Sequence, residues 1–488
     1  MTRIDVVLPY GQTPDFEWNL RQLNSGPIDS IIVPYTQKPQ SLPEGVHALP
    51  VDNLSGGVDL MAVLERCKAD FILMVFPGQR IRLGSRALER FLEVACDTGA
   101  GLVYSDYYEE SKDGAIVEHP VIDYQLGSLR DDFDFGPLAI LSRHSIDHVV
   151  NYHSGLDQGK GSGFYNLRLK ISIDSKIIRL PEYLCSRFAD PEKNRGERLF
   201  DYLRPESREN QIEMEKVLTG HLRRIGAFLE PRFERLRYRD LPQTTSVIIP
   251  VKNRERTVGD AVNSALAQET RFDFNVIVVD NHSADRTPEI LQKLAMEDSR
   301  LIHLLPSRKD LLIGGCWNEA INSPKCGTFA VQLDSDDLYA YTSALQRIVD
   351  KFNDGGYAMV VGAYRTTDIN QKEIPPGIVD HREWTRKNGH NNLLRVNGMG
   401  APRAFYTPLL RKHPFPNVSY GEDYAVALRL SRHYEIGRIF DPIYTCRRWE
   451  GNSDAGLSVE FRNRYDAYKD RLRTLEILAR QKLNREKR

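Results

Sequence analysis

Residues 245–268 read TSVIIPVKNRERTVGDAVNSALAQ. The apolar run Val247–Ile249 stops at Pro250, a polar loop follows, and Val258, Ala261, Val262, Ala265 and Leu266 then recur at helical spacing. Residues 274–295, FNVIVVDNHSADRTPEILQKLA, repeat the design. Their strand ends at Asp280, their loop is polar, and Pro288 opens a helix carrying Ile290, Leu291 and Leu294. Strand and helix in alternation predict an α/β fold, with a mostly parallel sheet covered by helices on both faces. Ligands of such sheets sit outside the carboxyl ends of the strands, where Asp280 falls.

A further strand is FAVQLDSDDLY, residues 329–339. Asp334, Asp336 and Asp337 crowd its carboxyl end. Ionised side by side they repel one another. One resolution is a divalent cation: Mg²⁺ and Mn²⁺ take one or two carboxylates plus phosphate oxygens, so D-x-D at a strand end points to a metal-bound diphosphate. The other is a solvated acidic turn with an aspartate capping the next helix. The motif alone leaves both open.

The chain also repeats itself. RIDVVLPYGQT from Arg3 resembles TSVIIPVKNR, and DSIIVPYTQ from Asp29 resembles FNVIVVDNH. DFILMVFPGQRIRLGSRALER from Asp70 runs beside TFAVQLDSDDLYAYTSALQR with one residue of slip. LRLKISIDSKIIRLPEYLCSR from Leu167 aligns without gaps to LRLSRHYEIGRIFDPIYTCRR from Leu428. Matched blocks in the same order predict two domains of one fold in tandem. The charge-rich stretch between them carries Leu218, Leu222, Ile225 and Leu229 at helical spacing. The expected layout is a first domain over 1–189, a helical connector over 190–243, a second domain over 244–456 and a basic amphipathic helix over 457–488. That last helix carries Phe461, Tyr465, Tyr468, Leu472 and Leu475 on one face. Its apolar stripe is expected to pack on the second domain. The alternative is peripheral contact with an anionic membrane.

Bulk composition excludes several classes. Lys+Arg 66 against Asp+Glu 67 leaves no excess positive charge, so no nucleic-acid partner is expected. The six cysteines show no C-x-x-C pair, which argues against a structural zinc site and suits a reducing compartment. The N-terminus lacks the apolar core of a signal peptide, and FILMVF is too short to span a bilayer. The expectation is a cytoplasmic protein, with any membrane contact peripheral at the inner face.

These motifs together resemble the family 2 glycosyltransferases of GT-A fold, most clearly over Thr245–Asn353 and again over Val418–Ser453. The resemblance implies two tandem GT-A-like, Rossmann-like nucleotide-diphospho-sugar transferase domains. It implies donor-nucleotide contacts at Pro250, Val251, Asn253, Arg254, Asp280, Asn318, Asp334 and Ser335. Asp336 and Asp334 match the family's metal-binding D-x-D, for Mn²⁺ or Mg²⁺. YGEDYAVALRL matches the family's Glu-Asp pair, with Asp423 as general base and Glu422 beside it. Trp317 replaces a common Arg, and Trp449 lies near an expected His. Arg447, Arg448, Trp449, Asn452, Ser453 and Asp454 are therefore candidates for diphosphate or acceptor contacts, and His390, Asn391 and Asn392 for acceptor hydroxyls. The implied reaction is inverting transfer of a sugar from a nucleotide sugar, a UDP-sugar being the family's commonest donor, to a saccharide or lipid-linked acceptor.

Opposite Asp334-Ser335-Asp336-Asp337 the first repeat has Phe76-Pro77-Gly78-Gln79, and opposite Glu422-Asp423 it has Gly161-Ser162. A first domain without these carboxylates is expected to be non-catalytic, serving as scaffold, acceptor-binding surface or homodimer contact. Competing readings are a nucleotidyltransferase, which lacks its G-x-G-T-R loop here, and a non-catalytic sugar-binding protein, against which Asp336 and Asp423 stand.

Overall fold

The computed structural model describes residues 2–486 apart from 12–13, 24–25, 54, 112, 189–207, 239–240 and 453–455. The chain divides into two compact units, Met1–Phe228 with Ser458–Glu486, and Leu229–Leu457.

Among the described residues each unit holds one sheet of nine strands. The first comprises β1 (Ile4–Val7), β2 (Ile28–Tyr35), β3 (Val46–Pro50), β4 (Phe71–Val75), β5 (Ile81–Leu83), β6 (Leu102–Glu110), β7 (Ile116–His119), β8 (Leu138–Ser142) and β9 (Ile177–Phe188). The second comprises β10 (Thr245–Val251), β11 (Phe274–Asp280), β12 (Leu301–Leu304), β13 (Phe329–Gln332), β14 (Leu338–Tyr339), β15 (Met359–Asp368), β16 (Glu373–Val379), β17 (Arg403–Tyr406) and β18 (Ile436–Arg448). Their orders, β3-β2-β1-β4-β8-β6-β9-β5 and β12-β11-β10-β13-β17-β15-β18-β14, are the same topology twice. The sequence repeat is therefore a repeat of Rossmann-like α/β folds.

Register makes the correspondence residue by residue. Ile4 pairs with Phe71, and Thr245 with Phe329. Counting along these ladders sets Phe76 where the second unit has Asp334, and Gly78 where it has Asp336. Only part of each sheet is parallel. β12, β11, β10 and β13 run together, but β17 is antiparallel to both β13 and β15. β16 first folds back on β15 as a hairpin, and antiparallel pairing lets the returning chain add a strand without a crossover helix. In the parallel part, Val247–Ile249 and Val276–Val279 are wholly buried, as strands covered on both faces must be.

Among the described residues, the expected connector region contains the helix Arg208–Arg224, and it belongs to the first unit. Residues 189–207 lie outside the described residues. The last helix, Val459–Glu486, also belongs to the first unit, not packed on the second domain by an apolar stripe as expected. It is bonded to the loop after β7, where Gly127 N donates to Thr474 Oγ1 (2.9 Å) and Ser128 Oγ to Asp470 Oδ2 (2.8 Å), and to the backbone of Ile225, Gly226 and Phe228 through Gln481 and Asn484. A Cβ at Gly127 would lie 2.1 Å from Asp470 O, so only glycine allows this approach. Arg130 pairs with Asp466 at 3.4 Å. Phe461, Leu475 and Leu478 of the predicted stripe's side remain 52%, 50% and 48% exposed. The buried face is charged, with Asp470–Arg473 and Glu476–Arg480 pairs at 2.7 Å. Ion pairing lets such residues go inside, which a search for apolar periodicity misses.

Candidate active site

The second unit places Asp280 at the carboxyl end of β11 and Asp334, Asp336 and Asp337 just after β13. Val251 pairs in register with Asp280. Asp280 is buried and accepts from Ser283 N (2.9 Å) and contacts His303 Nε2 (3.3 Å). Burial alone raises its carboxyl, but these hydrogen bonds prevail and hold it below its ordinary value.

The loop after Pro250 is laced to the loop after Asp280. Asn253, at a left-handed φ of 52° that asparagine tolerates, donates its N–H to Ser283 Oγ (2.9 Å). Its Oδ1 accepts from Ala284 N (2.8 Å), and Arg254 N donates to Thr287 Oγ1 (2.8 Å). Asn253 thus shapes the loop with its side chain. The Arg254 guanidinium reaches the aspartates, its Nε 3.9 Å from Asp336 Oδ2.

Asp334, Asp336 and Asp337 divide their tasks. Asp337 accepts Arg447 N (2.8 Å), which ties the turn to β18. Asp336 Oδ2 accepts from Asn452 Nδ2 (3.1 Å) and Trp449 Nε1 (3.3 Å). Asp334 Oδ1 accepts from Gln332 Nε2 (2.8 Å), and its backbone N–H donates to the Tyr444 hydroxyl (3.0 Å). Burial raises the Asp334 carboxyl above the usual range against the pull of Arg403. Burial, then Asp334 and Asp336, push Asp337 well above it. Ser335 is buried in the same turn.

Glu422 and Asp423 open the helix Glu422–Leu430. The helix Ile313–Asn322 lies against them: a Cβ on Gly314 would sit 1.9 Å from Pro416 O and 3.1 Å from Glu422 Cβ. Asp423 Oδ2 is 2.9 Å from Arg403 Nε. Glu422 is buried with its Oε2 unpartnered, and burial followed by the charge of Asp423 lifts it to about 8. Arg403 was not singled out from sequence. It starts β17, the antiparallel strand beside β13, and the Asp334 and Asp423 charges both act on its partly buried guanidinium. Its counterpart by register in the first unit is Ala139.

The structure does not bring every sequence candidate to this cluster. The amide of Asn318 is used in both directions by one backbone residue: Nδ2 donates to Phe415 O (2.8 Å) and Oδ1 accepts Phe415 N (3.0 Å). Trp317 packs on Phe415 at 5.1 Å between centroids. His390, Asn391 and Asn392 are buried, and the first two hold the backbone of Leu229 rather than facing solvent. Arg447 donates Nε to Asp336 O and pairs through Nη1 with Asp260 (2.9 Å), while its buried Nη2 has no partner. Arg448 sits opposite Asp368 where β18 joins β15. The Trp449 ring carries the Arg256 guanidinium 4.9 Å above it. Asn452 braces Asp336 and Arg447 O (3.1 Å). Ser453 and Asp454 lie outside the described residues.

A strand-end pair of aspartates facing a Glu-Asp helix start, on a Rossmann-like sheet, is the arrangement of a sugar-nucleotide enzyme. Residues 246–412 match the family described as glycosyl transferase family 2. A GalNAc(5)-diNAcBac-PP-undecaprenol beta-1,3-glucosyltransferase of Campylobacter jejuni is 32% identical over 117 residues, 24% of this chain and 37% of that one. Glycosyltransferase AglD of Haloferax volcanii is 31% identical over 157 residues, 31% of this chain and 23% of that one. Among solved structures, the mannosyltransferase PcManGT of Pyrobaculum calidifontis, in complex with GDP-Man and Mn²⁺, is 16% identical with a TM-score of 0.36, over 56% of this chain and 82% of that one. The matches span less than half the length of the curated relatives.

Proposed function

We propose that the second unit transfers a sugar from a nucleotide sugar, with UDP as the nucleotide, to a hydroxyl of a saccharide or lipid-linked acceptor. The observation that carries this reading is the cluster in which Asp334, Glu422 and Asp423 act on Arg403, with Asp336 beside Asp334. Asp280, with Pro250 and Val251 beside it, faces the nucleoside end. Asp334 and Ser335 follow at the ribose and diphosphate.

A divalent cation fits the donor set. The side chains are oxygen ligands, and two of the aspartates are pushed up by burial and mutual repulsion, which a cation relieves. Asp336 and Asp334 would hold Mn²⁺ or Mg²⁺. When bound, the ion supplies neutralising charge for the departing diphosphate. Arg254 and the spare Nη2 of Arg447 add hydrogen-bond donors on the same side.

The acceptor oxygen attacks the anomeric carbon from the face opposite the diphosphate, so the configuration inverts. Its proton passes to Asp423 as the bond to the leaving oxygen breaks. Arg403 is a positioning residue that fixes the Asp423 carboxylate. Glu422, neutral below about 8, can donate a hydrogen bond to the acceptor.

A panel of nucleotide sugars, with and without Mn²⁺, tests this reading by release of nucleoside diphosphate. UDP release that needs Mn²⁺ supports it. Pyrophosphate release from a nucleoside triphosphate and a sugar phosphate would instead make the protein a nucleotidyltransferase.

No described helix is long and apolar enough to cross a membrane. We place peripheral contact with an anionic membrane on the last helix, whose exposed Phe461, Leu475 and Leu478 lie among exposed Arg464, Arg471, Lys482 and Arg485. Flotation with phosphatidylglycerol vesicles is expected for the full chain and lost in Phe461→Ser/Leu475→Ser. Equal flotation of the two proteins would refute membrane contact through this face.

A further inference from the structure

The first unit has kept a hollow where the second has its donor site. A cavity of about 220 Å³ lies at the carboxyl ends of β1, β2 and β4, with Val7, Pro34 and Phe76 in its wall. By register Phe76 occupies the place of Asp334, and by the gapless block Gly161, also in the wall, occupies that of Glu422. Loss of the carboxylates did not close the space. Leu60 and Met214 reline it from the helices Gly57–Arg66 and Arg208–Arg224, and both are buried.

The walls are braced. Gly57 N donates to Gly159 O (2.9 Å) and Gly163 N to Ser55 O (2.9 Å). Glu213 accepts Lys160 N (3.0 Å) and Gly161 N (2.9 Å), which fixes the helix that supplies Met214. The Phe76 and Phe164 rings meet edge-on at 4.8 Å. The charged side chains lining the cavity, among the described residues, are Asp59 and Asp131, both acidic. Anionic walls without lysine, arginine or histidine repel a phosphate, so a nucleotide diphosphate does not suit this site. A preformed concavity with mostly apolar walls and few polar groups is what a hydrocarbon-rich molecule requires. An apolar cavity of about 150 Å³ holds benzene, so this one has room for about ten carbons.

We propose that the first unit binds an uncharged alcohol with a hydrocarbon body of about ten carbons, its hydroxyl directed to the aspartates at the wall.

The probe is N-phenyl-1-naphthylamine, an uncharged fluorophore, titrated into the full chain and displaced by geraniol. Saturable fluorescence, lost on adding geraniol and kept on adding UDP with Mn²⁺, is expected. Met214→Trp fills the cavity and Phe76→Asp restores a carboxylate at its mouth. Each should weaken binding by about tenfold or more while the protein still melts cooperatively, the partly buried Phe76 giving up its contact with Phe164. The proposal fails if the dye does not saturate, if UDP displaces it, or if Phe76→Asp binds both dye and geraniol as the wild type does.

Discussion

Asp336→Ala is expected to lower the rate of sugar transfer by about 10²–10³-fold while the protein stays folded. The carboxylate accepts hydrogen bonds from Asn452 and Trp449 and lies near Arg254, so it is held in place by three side chains. None of these depends on it for burial in a core. Their loss costs about 1–3 kcal/mol of stability, the usual scale for hydrogen bonds to a charged group at a buried site. The catalytic cost is larger, because charge develops on the leaving diphosphate only in the transition state. The effect should therefore appear in kcat and in the Mn²⁺ concentration needed for half activity, more than in the donor KM. Asp337→Asn is the contrasting control. Asp337 is spent on Arg447 N, so its loss should lower the melting temperature with a smaller change in Mn²⁺ dependence. Unchanged transfer by Asp336→Ala would take the ion out of the mechanism.

What was legible in the sequence is the part governed by local pattern. Apolar runs ending in aspartate marked β11 and β13, and the ordered repeat foretold two folds that share one topology. Contacts between distant segments were not legible. Arg403 looked like one arginine among many until β17 inserted beside β13 and set it between Asp334 and Asp423. Asn452 could be named as a substitute for a missing histidine, but its grip on Asp336 depends on how the chain turns after β18. Polar residues in loops misled in the other direction. Asn318 and Asn391 have the chemistry of ligand contacts, yet each satisfies a buried backbone group, the commoner fate of an amide side chain. The charged face of the last helix defeated periodicity for the same reason: buried charges were paired, and the pairing partners are not visible in a hydropathy pattern.

The adjacent acids Glu422 and Asp423 make opposite predictions that one pH profile separates. Asp423→Asn is expected to lower kcat by about 10²–10⁴-fold, because an amide cannot take the acceptor's proton. Glu422→Gln should retain most activity, since the amide resembles the neutral acid that Glu422 is below about 8. The sign follows from the direction of the shift. A carboxyl raised by burial is protonated up to about 8 and ionises above it, adding a further negative charge beside Asp423 and Asp334. Activity of the wild type should then fall as pH rises through that value, and Glu422→Gln should lose that limb. Stability moves the same way. Between the ordinary carboxylate range and about 8 the folded protein binds one proton more than the unfolded chain, so wild-type stability declines with rising pH across that window and the Gln variant declines less. Were Glu422 the base instead, activity would climb through the same pH, Glu422→Gln would be inactive, and Asp423→Asn would keep its rate. Arg403→Lys completes the test: a point charge in place of the guanidinium keeps the attraction to Asp423 but not the fixed geometry, so kcat should drop while the pH profile keeps its shape.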